Sequence, residues 1–293
     1  ERSVKQEKNT GYNPPKDYVG AIAQQDMDGG TLTVTGQGNR FDIDASGIKF
    51  TGRYGADHNA SNSGAAVLDF NTSGGSGYLL SDGIYAAMKL VGGHEIKINS
   101  NIKYNGTGTS KYNRWLFHTD GHNDNGDSTW HLMSGGNVNM NGDDLVMYTS
   151  QYHGSGNYNI GFLNEGTITT SSTGNRNYIW LPLSARNWGG FRIMMFENKG
   201  TISLNGTGDV LSVFGSEGQA VGGVSFINST GTLELNGESN KGIVVKSGLE
   251  YPSGEILLNT PMKVKGNNSV GVAFLGYIDL DGGASFHKSK ANN

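Results

Sequence analysis

Gly200-Thr201-Ile202-Ser203-Leu204-Asn205-Gly206 sets two apolar side chains two positions apart among polar ones and closes on Asn-Gly. Alternation with period two is strand spacing, with Ile202 and Leu204 on one face and Thr201 and Ser203 on the other. The tract recurs as Gly231-Thr232-Leu233-Glu234-Leu235-Asn236-Gly237, and more loosely at 137–142, 101–106, 31–36 and 261–266. Degenerate copies run through Leu68-Asp69-Phe70-Asn71 and Ile168-Thr169-Thr170, which gives a period of 29 to 36 residues. The closing Asn-Gly is read as the source of the positive φ that a tight corner needs.

After each corner come two further apolar stretches, such as Val210-Leu211-Ser212-Val213-Phe214 and Val224-Ser225-Phe226-Ile227. Three short strands in a unit of about 30 residues describe one coil of a right-handed parallel β-helix, an all-β solenoid whose coils stack about 4.8 Å apart. Seven to eight units make a rod of roughly 40 Å. A propeller blade needs about 40 residues and four antiparallel strands, and a sandwich has no fixed period. The longest stretch with helical character is Tyr85-Ala86-Ala87-Met88-Lys89-Leu90, too short for a helix of the core. Inward positions are expected to be apolar and outward ones Thr, Ser, Lys and Glu.

Composition agrees with a folded chain of this kind. It holds 47 glycines, 5 prolines and no cysteine in 293 residues, so disulfide scaffolds, cysteine-ligated metals and thiol catalysis are excluded. A net charge of −4 carries no basic excess, and no nucleic-acid partner is expected. Residues 1–18 are polar and read as a linker or as a strand capping the first coil; residues 19–293 read as a single β-helical unit.

The segments 196–206, 226–237 and 266–274 resemble the passenger repeats of type V autotransporter adhesins, particularly the large fusobacterial outer-membrane adhesins. The match is clear over 160–280 and looser over 29–160. The resemblance implies a cell-surface protein exported across the outer membrane and anchored by a C-terminal β-barrel outside this fragment. It implies adhesion to a glycan or protein receptor on a host cell or partner bacterium. A chain without cysteine suits passage through an outer-membrane pore unfolded.

Spacing varies most between the second and third strands of each unit, and function is sought there. These linkers, at 119–128, 150–158 and 184–190, depart from the coil template and stack on one edge of the rod. The ligand-binding candidates are His122, Asp124, Asp127, Tyr152, His153, Arg186 and Trp188. Exposed Tyr and Trp beside hydrogen-bonding groups suit a sugar ring or a protein anchor; the competing reading packs them over their own turns.

No metal or cofactor is expected. Asp120 to Asp127 misses the alternate-residue calcium pattern and its closing Glu, and reads as a solvated loop. His118, His122 and His131 would form a metal set only with the first two on a helix, and the region reads as strand and loop. Asp26-Met27-Asp28-Gly29-Gly30 and Asp279-Leu280-Asp281-Gly282-Gly283 read as turns. Neither a nucleophile elbow nor a P-loop occurs. A polysaccharide lyase or hydrolase on this fold needs paired carboxylates about 5 to 9.5 Å apart or a calcium cluster with a basic residue. No such row of Asp is visible, so no enzyme activity is expected. The alternative to adhesion is a self-associating or purely structural rod.

Overall fold

In a computed structural model of the chain, backbone is described for the strands named below and their tight corners. Side chains are described chiefly within residues 95–104, 116–119, 127–150, 160–182, 195–214, 227–245 and 259–273. The described chain is all β, wound into a parallel β-helix with three faces of about 32 residues per coil. Face I runs through Gly30–Val34, Ala56–Asn62, His94–Asn99, Ser128–Leu132, Ile160–Asn164, Ile193–Asn198, Val224–Ser229, Glu255–Asn259 and Ser285–Lys288. Face II runs through Arg40–Asp44, Val67–Asn71, Asn101–Thr107, Asn137–Asp143, Thr167–Thr170, Thr201–Leu204, Thr232–Leu235 and Lys263–Val264. Face III holds Gln24–Asp28, Gly47–Thr51, Ile84–Val91, Trp115–His122, Val146–His153, Tyr178–Ala185, Val210–Phe214, Lys241–Lys246 and Val270–Leu275. The chain visits faces III, I and II in turn, and among the described residues faces I and III hold nine parallel strands each and face II eight, against the seven to eight units counted from sequence. At its first edge Val4–Glu7 pairs antiparallel with Gly30–Val34.

The alternating tract forms face II. Ile202 and Leu204 are fully buried, and Ile168, Ile202 and Leu233 stand in register through three coils. Thr31 to Val34 is not part of this column, and Thr35 and Gly36 lie outside the described residues. The strand Gly30–Val34 lies in face I, and Arg40–Asp44 takes the face II position, with Phe41 opposite Leu68. Both segments alternate, and alternation alone does not say which face of a coil a strand occupies. Asp26 to Asp28, expected as a turn, lies in a strand paired with Lys49 to Thr51.

An aromatic stack fills the interior. Phe117, Trp130, Phe162, Tyr148, Trp180, Phe196 and Phe214 connect ring to ring at centroid distances of 4.9 to 6.4 Å. Their polar edges are satisfied inside the coil: Trp130 Nε1 donates to Thr119 Oγ1 at 3.0 Å and Trp180 Nε1 to Ser150 Oγ at 3.3 Å.

Two corners are fixed by what stacks on them. At the I/II corner Asn164 Nδ2 donates to Asn198 Oδ1 at 2.7 Å, and Asn198 Nδ2 to Ser229 Oγ at 3.0 Å, all three residues buried. Two glycine columns accompany the corners, Gly136, Gly166, Gly200 and Gly231 at one, Gly142, Gly174, Gly206, Gly237 and Gly266 at the other. A Cβ on Gly200 would sit inside the carbonyl oxygen of Gly166, and one on Gly237 inside that of Gly206. The glycines are therefore required for close approach of successive coils. Positive φ falls elsewhere, at Asp144, Arg176, Gly208, Ser239 and Asn268, one per coil in the II/III corner. That corrects the assignment of the left-handed residue to Asn-Gly.

The outward surface is polar on face II, where Lys103 and Asn139 are exposed and Thr201 and Ser203 half-buried. On face III the expectation of polar outward positions fails. Val244 lies between the core residues Ile243 and Val245, hence on the other side of the sheet, and joins Val210 and Val213 in a separate buried cluster with Leu181 and Ala273 against it.

Gly237→Ala is expected to cost about 3 kcal/mol or to abolish soluble protein, because backbone of the neighbouring coil must move. Gly208→Ala, where only the Arg176 Cγ lies near, at 3.6 Å, carries only the left-handed penalty of about 1 kcal/mol. Paired thermal melts decide; equal losses would mean that coil contact is not what selects glycine at 237.

Candidate functional site

Connections of differing length lie at the edge where face III hands over to face I, and the II/III corner has its own departure from the repeat, the strand Tyr78–Leu80 paired antiparallel with Ile84–Val91. Three strands approach it in register: Thr119 opposite Ser150, Asp120 opposite Gln151, Gly121 opposite Tyr152 and His122 opposite His153. The next strand continues with Gln151 opposite Ser184 and Tyr152 opposite Ala185, after a bulge near Ser150. Residues 119–122, 150–153 and 184–185 are thus strand, where sequence placed linker. The hydroxyls of Thr119 and Ser150 explain the extension, because each accepts a core Trp N–H and so holds the ladder in place past the apolar run.

The edge brings His122, Tyr152 and His153 together at the backbone level. Asp127 is exposed across the corner, directly before the face I strand Ser128–Leu132. Asp124, Arg186 and Trp188 lie outside the described residues, as do segments 123–126, 154–159 and 186–192. The other two histidines considered from sequence are elsewhere and already engaged. His118 Nδ1 lies 2.8 Å from Thr149 Oγ1 on face III. His131, on face I, sits between two carboxylates, with Nδ1 2.8 Å from Glu95 Oε1 and Nε2 3.0 Å from Glu165 Oε2.

Sequence reasoning missed the Glu95, His131 and Glu165 ladder, which clamps three successive coils. The signal was present, since the partners are 36 and 34 residues apart, the coil repeat itself. Burial pushes the Glu95 carboxyl up, but hydrogen bonds from His131 and Lys97 together with their charges outweigh it and hold the group below the usual range. Lys97 Nζ lies 3.2 Å from Glu95 Oε2.

A second polar column occupies the II/III corner. Asp209 is fully buried, and its Oδ1 accepts from the backbone and side-chain nitrogens of Asn177 at 2.9 and 3.2 Å. Its Oδ2 accepts from Gly206 N at 2.9 Å and Thr170 Oγ1 at 2.5 Å. In turn Asp209 N donates to Asn240 Oδ1 at 2.8 Å. Desolvation raises the Asp209 pKa, and the four donated hydrogen bonds offset that only in part. Both columns are tied into the stack: Asp209 is closed off from solvent, and the Glu95 and Glu165 oxygens named above are held by His131. Among the described residues no group of three or more His, Asp or Glu side chains is arranged to hold a metal ion, and no helix is long and apolar enough to cross a membrane. No protein-family model, curated protein or solved structure matches the chain.

Asp209→Ala leaves buried donors without an acceptor and should cost on the order of 3 kcal/mol. The pH dependence carries its own sign. A carboxyl raised in the folded state retains its proton there while the unfolded chain has lost it, so its contribution to stability falls as pH rises from the ordinary value of 3.8 toward the raised one. Against Asp209→Asn, which cannot titrate, the parent chain should gain in relative melting temperature as pH falls from 7 to 4. Glu95 acts in the opposite sense: its lowered pKa stabilises above 4.5 and that contribution is lost as pH falls through the lowered value, so Glu95→Gln should flatten the acid limb. Melts of the three chains between pH 3 and 7 check both signs.

Proposed function

We propose that the chain is a segment of a bacterial surface adhesin, a β-helical stalk that presents its III/I corners to a glycan or protein receptor on a host cell or partner bacterium. The observation that supports this most is the register at one edge. The strands Trp115–His122, Val146–His153 and Tyr178–Ala185 end beside one another there, with His122 opposite His153 and Tyr152 opposite Ala185, each directly before a stretch of sequence that departs from the coil template. Glycine columns hold the I/II corner from Gly136 to Gly231 and the II/III corner from Gly142 to Gly266. The repeats' resemblance to type V passengers supports the same reading, and with it export to the cell surface and a parent chain anchored by an outer-membrane barrel. We assign the fragment no catalytic role, and Asp124, Asp127, Arg186 and Trp188 are assigned to recognition with Tyr152, His122 and His153.

A purely structural or self-associating rod is the second reading. It is favoured by the last described coil, where Val264, Val270 and Val272 are 43, 41 and 39% exposed.

Screening the fragment against glycans and surface proteins should find a binder weakened by Trp188→Ala and Tyr152→Ala, each by about 1 kcal/mol or more. Thr201→Ala, on the regular face II, should leave binding unchanged. Melting temperature is measured on the same variants, since an aromatic packed over its own turn lowers stability without a selective effect on binding. Full binding by the Trp188, Tyr152 double variant would place recognition outside this edge. Concentration-dependent association in sedimentation velocity, lost in Val272→Lys, would favour the rod.

A further inference from the structure

We infer that Glu95, His131 and Glu165 form a proton-operated clamp across three coils of face I, closed while the imidazole carries a proton on each nitrogen and half open once one is lost. The three groups come from successive turns of the chain, 36 and 34 residues apart. His131 stands on the strand Ser128–Leu132, with Glu95 on His94–Asn99 to one side and Glu165 directly after Ile160–Asn164 on the other. Nδ1 lies 2.8 Å from Glu95 Oε1 and Nε2 3.0 Å from Glu165 Oε2.

Donors and acceptors decide the charge. An ionised carboxylate only accepts, and a neutral imidazole has one N–H and one lone pair. Both ring nitrogens here face a carboxylate oxygen at hydrogen-bond distance, so with both carboxyls ionised the bridge needs two N–H groups, and the imidazolium supplies them. Once one proton leaves, a ring lone pair points at a carboxylate oxygen. Acceptor then meets acceptor where the His131 side chain is only 13% exposed and water has little access to relieve it.

The surrounding charges fit the closed form. Lys97 is the register partner of His131, yet its Nζ lies 3.2 Å from Glu95 Oε2, so Glu95 divides its two oxygens between two cations. Lys97, Glu95, His131 and Glu165 then make an alternating row of balanced charge, which a neutral ring leaves one positive charge short. On the other side Leu163 is the register partner and carries no charge, and in the next coil Glu197 is paired with Lys199 at 3.6 Å. Asp127, just before the strand of His131, is exposed. Burial raises the Glu95 carboxyl, but the hydrogen bonds and charges of His131 and Lys97 outweigh it, so acid opens the clamp only below the usual carboxylate range. At the other limit the imidazolium contribution is complete at low pH and is lost as pH rises and the ring gives up its second proton. Residues 123–127 directly precede the clamped strand, so opening loosens the coil beside the III/I corner. The clamp is independent of any recognition at that corner.

The test uses the full 293-residue chain, isotopically labelled and taken from pH 5 to pH 9. Long-range proton–nitrogen spectra of the imidazole rings, with His131 assigned by its absence in His131→Gln, should show both its nitrogens protonated at the acid end. The second proton should leave at lower pH in Glu165→Gln than in the parent chain, by about half a pH unit or more. In thermal melts over the same range the parent should lose more melting temperature on the alkaline side than His131→Gln or Glu165→Gln, by about 2 °C or more. The other histidines and Asp209 are common to all three chains and cancel in that comparison, and Lys103→Ala, exposed on face II, should follow the parent. Should His131→Gln not fold, the melt of Glu165→Gln reads the same clamp without touching the ring. A second proton lost at the same pH in the parent and Glu165→Gln, or a parent melt that runs parallel to the folded variants from pH 5 to pH 9, overturns the assignment.

Discussion

Each coil of this chain rests on another at the spacing of a parallel sheet, about 4.8 Å, and every position must therefore tolerate its counterpart one repeat away. That constraint selects residues by what lies above and below them. Where backbone meets backbone only glycine fits, as at Gly166, Gly200 and Gly231. Where a polar group must be buried, it is one that can bond to its own kind, as Asn164 does to Asn198. Where space is to be filled, rings follow rings, with Phe162 and Phe196 stacked at 5.5 Å.

The same constraint divides the molecule into fixed and variable parts. The I/II and II/III corners carry glycine columns and buried polar ladders, so a change in one coil is felt by two others. Asp209 is the extreme case, a buried carboxylate that joins Thr170, Asn177 and Gly206 across the corner. The strands of face III leave segments of different length before face I, from the single residue between Gln24–Asp28 and Gly30–Val34 to the nine between Val210–Phe214 and Val224–Ser229. Variation without loss of the core is open to the chain at this corner, and recognition is proposed beside it.

Much of the fold was legible because the repeat is written in one dimension. Ile202, Leu204, Leu233 and Leu235 announce strand by alternation, and their spacing announces stacking. The errors came where a local pattern has two three-dimensional meanings. Gly30–Val34 and Arg40–Asp44 alternate alike, yet occupy faces I and II. Gly206 was read as a left-handed turn residue, whereas it makes room for Gly174, and the left-handed residue is Gly208. Thr119 and Ser150 looked like the start of a linker because their partners, the indoles of Trp130 and Trp180, lie elsewhere in the sequence. Of the candidate residues the register brings the backbone of His122, Tyr152 and His153 to one edge, and Asp124, Arg186 and Trp188 lie outside the described residues; that His122 falls opposite His153 is fixed by a register that no local window contains.

The absence of cysteine makes the register directly measurable, since any disulfide must come from introduced pairs. Thr167 and Thr201 are in-register neighbours on the polar side of face II, and Ser203 is two positions displaced. Parallel neighbours about 4.8 Å apart fall within the Cα separation a disulfide requires. The Thr167→Cys, Thr201→Cys chain should oxidise to a single intramolecular cross-link without loss of melting temperature, and the Thr167→Cys, Ser203→Cys chain should remain reduced. Equal cross-linking of the two, or cross-linking of the displaced pair alone, would contradict the in-register stack on which the whole account rests.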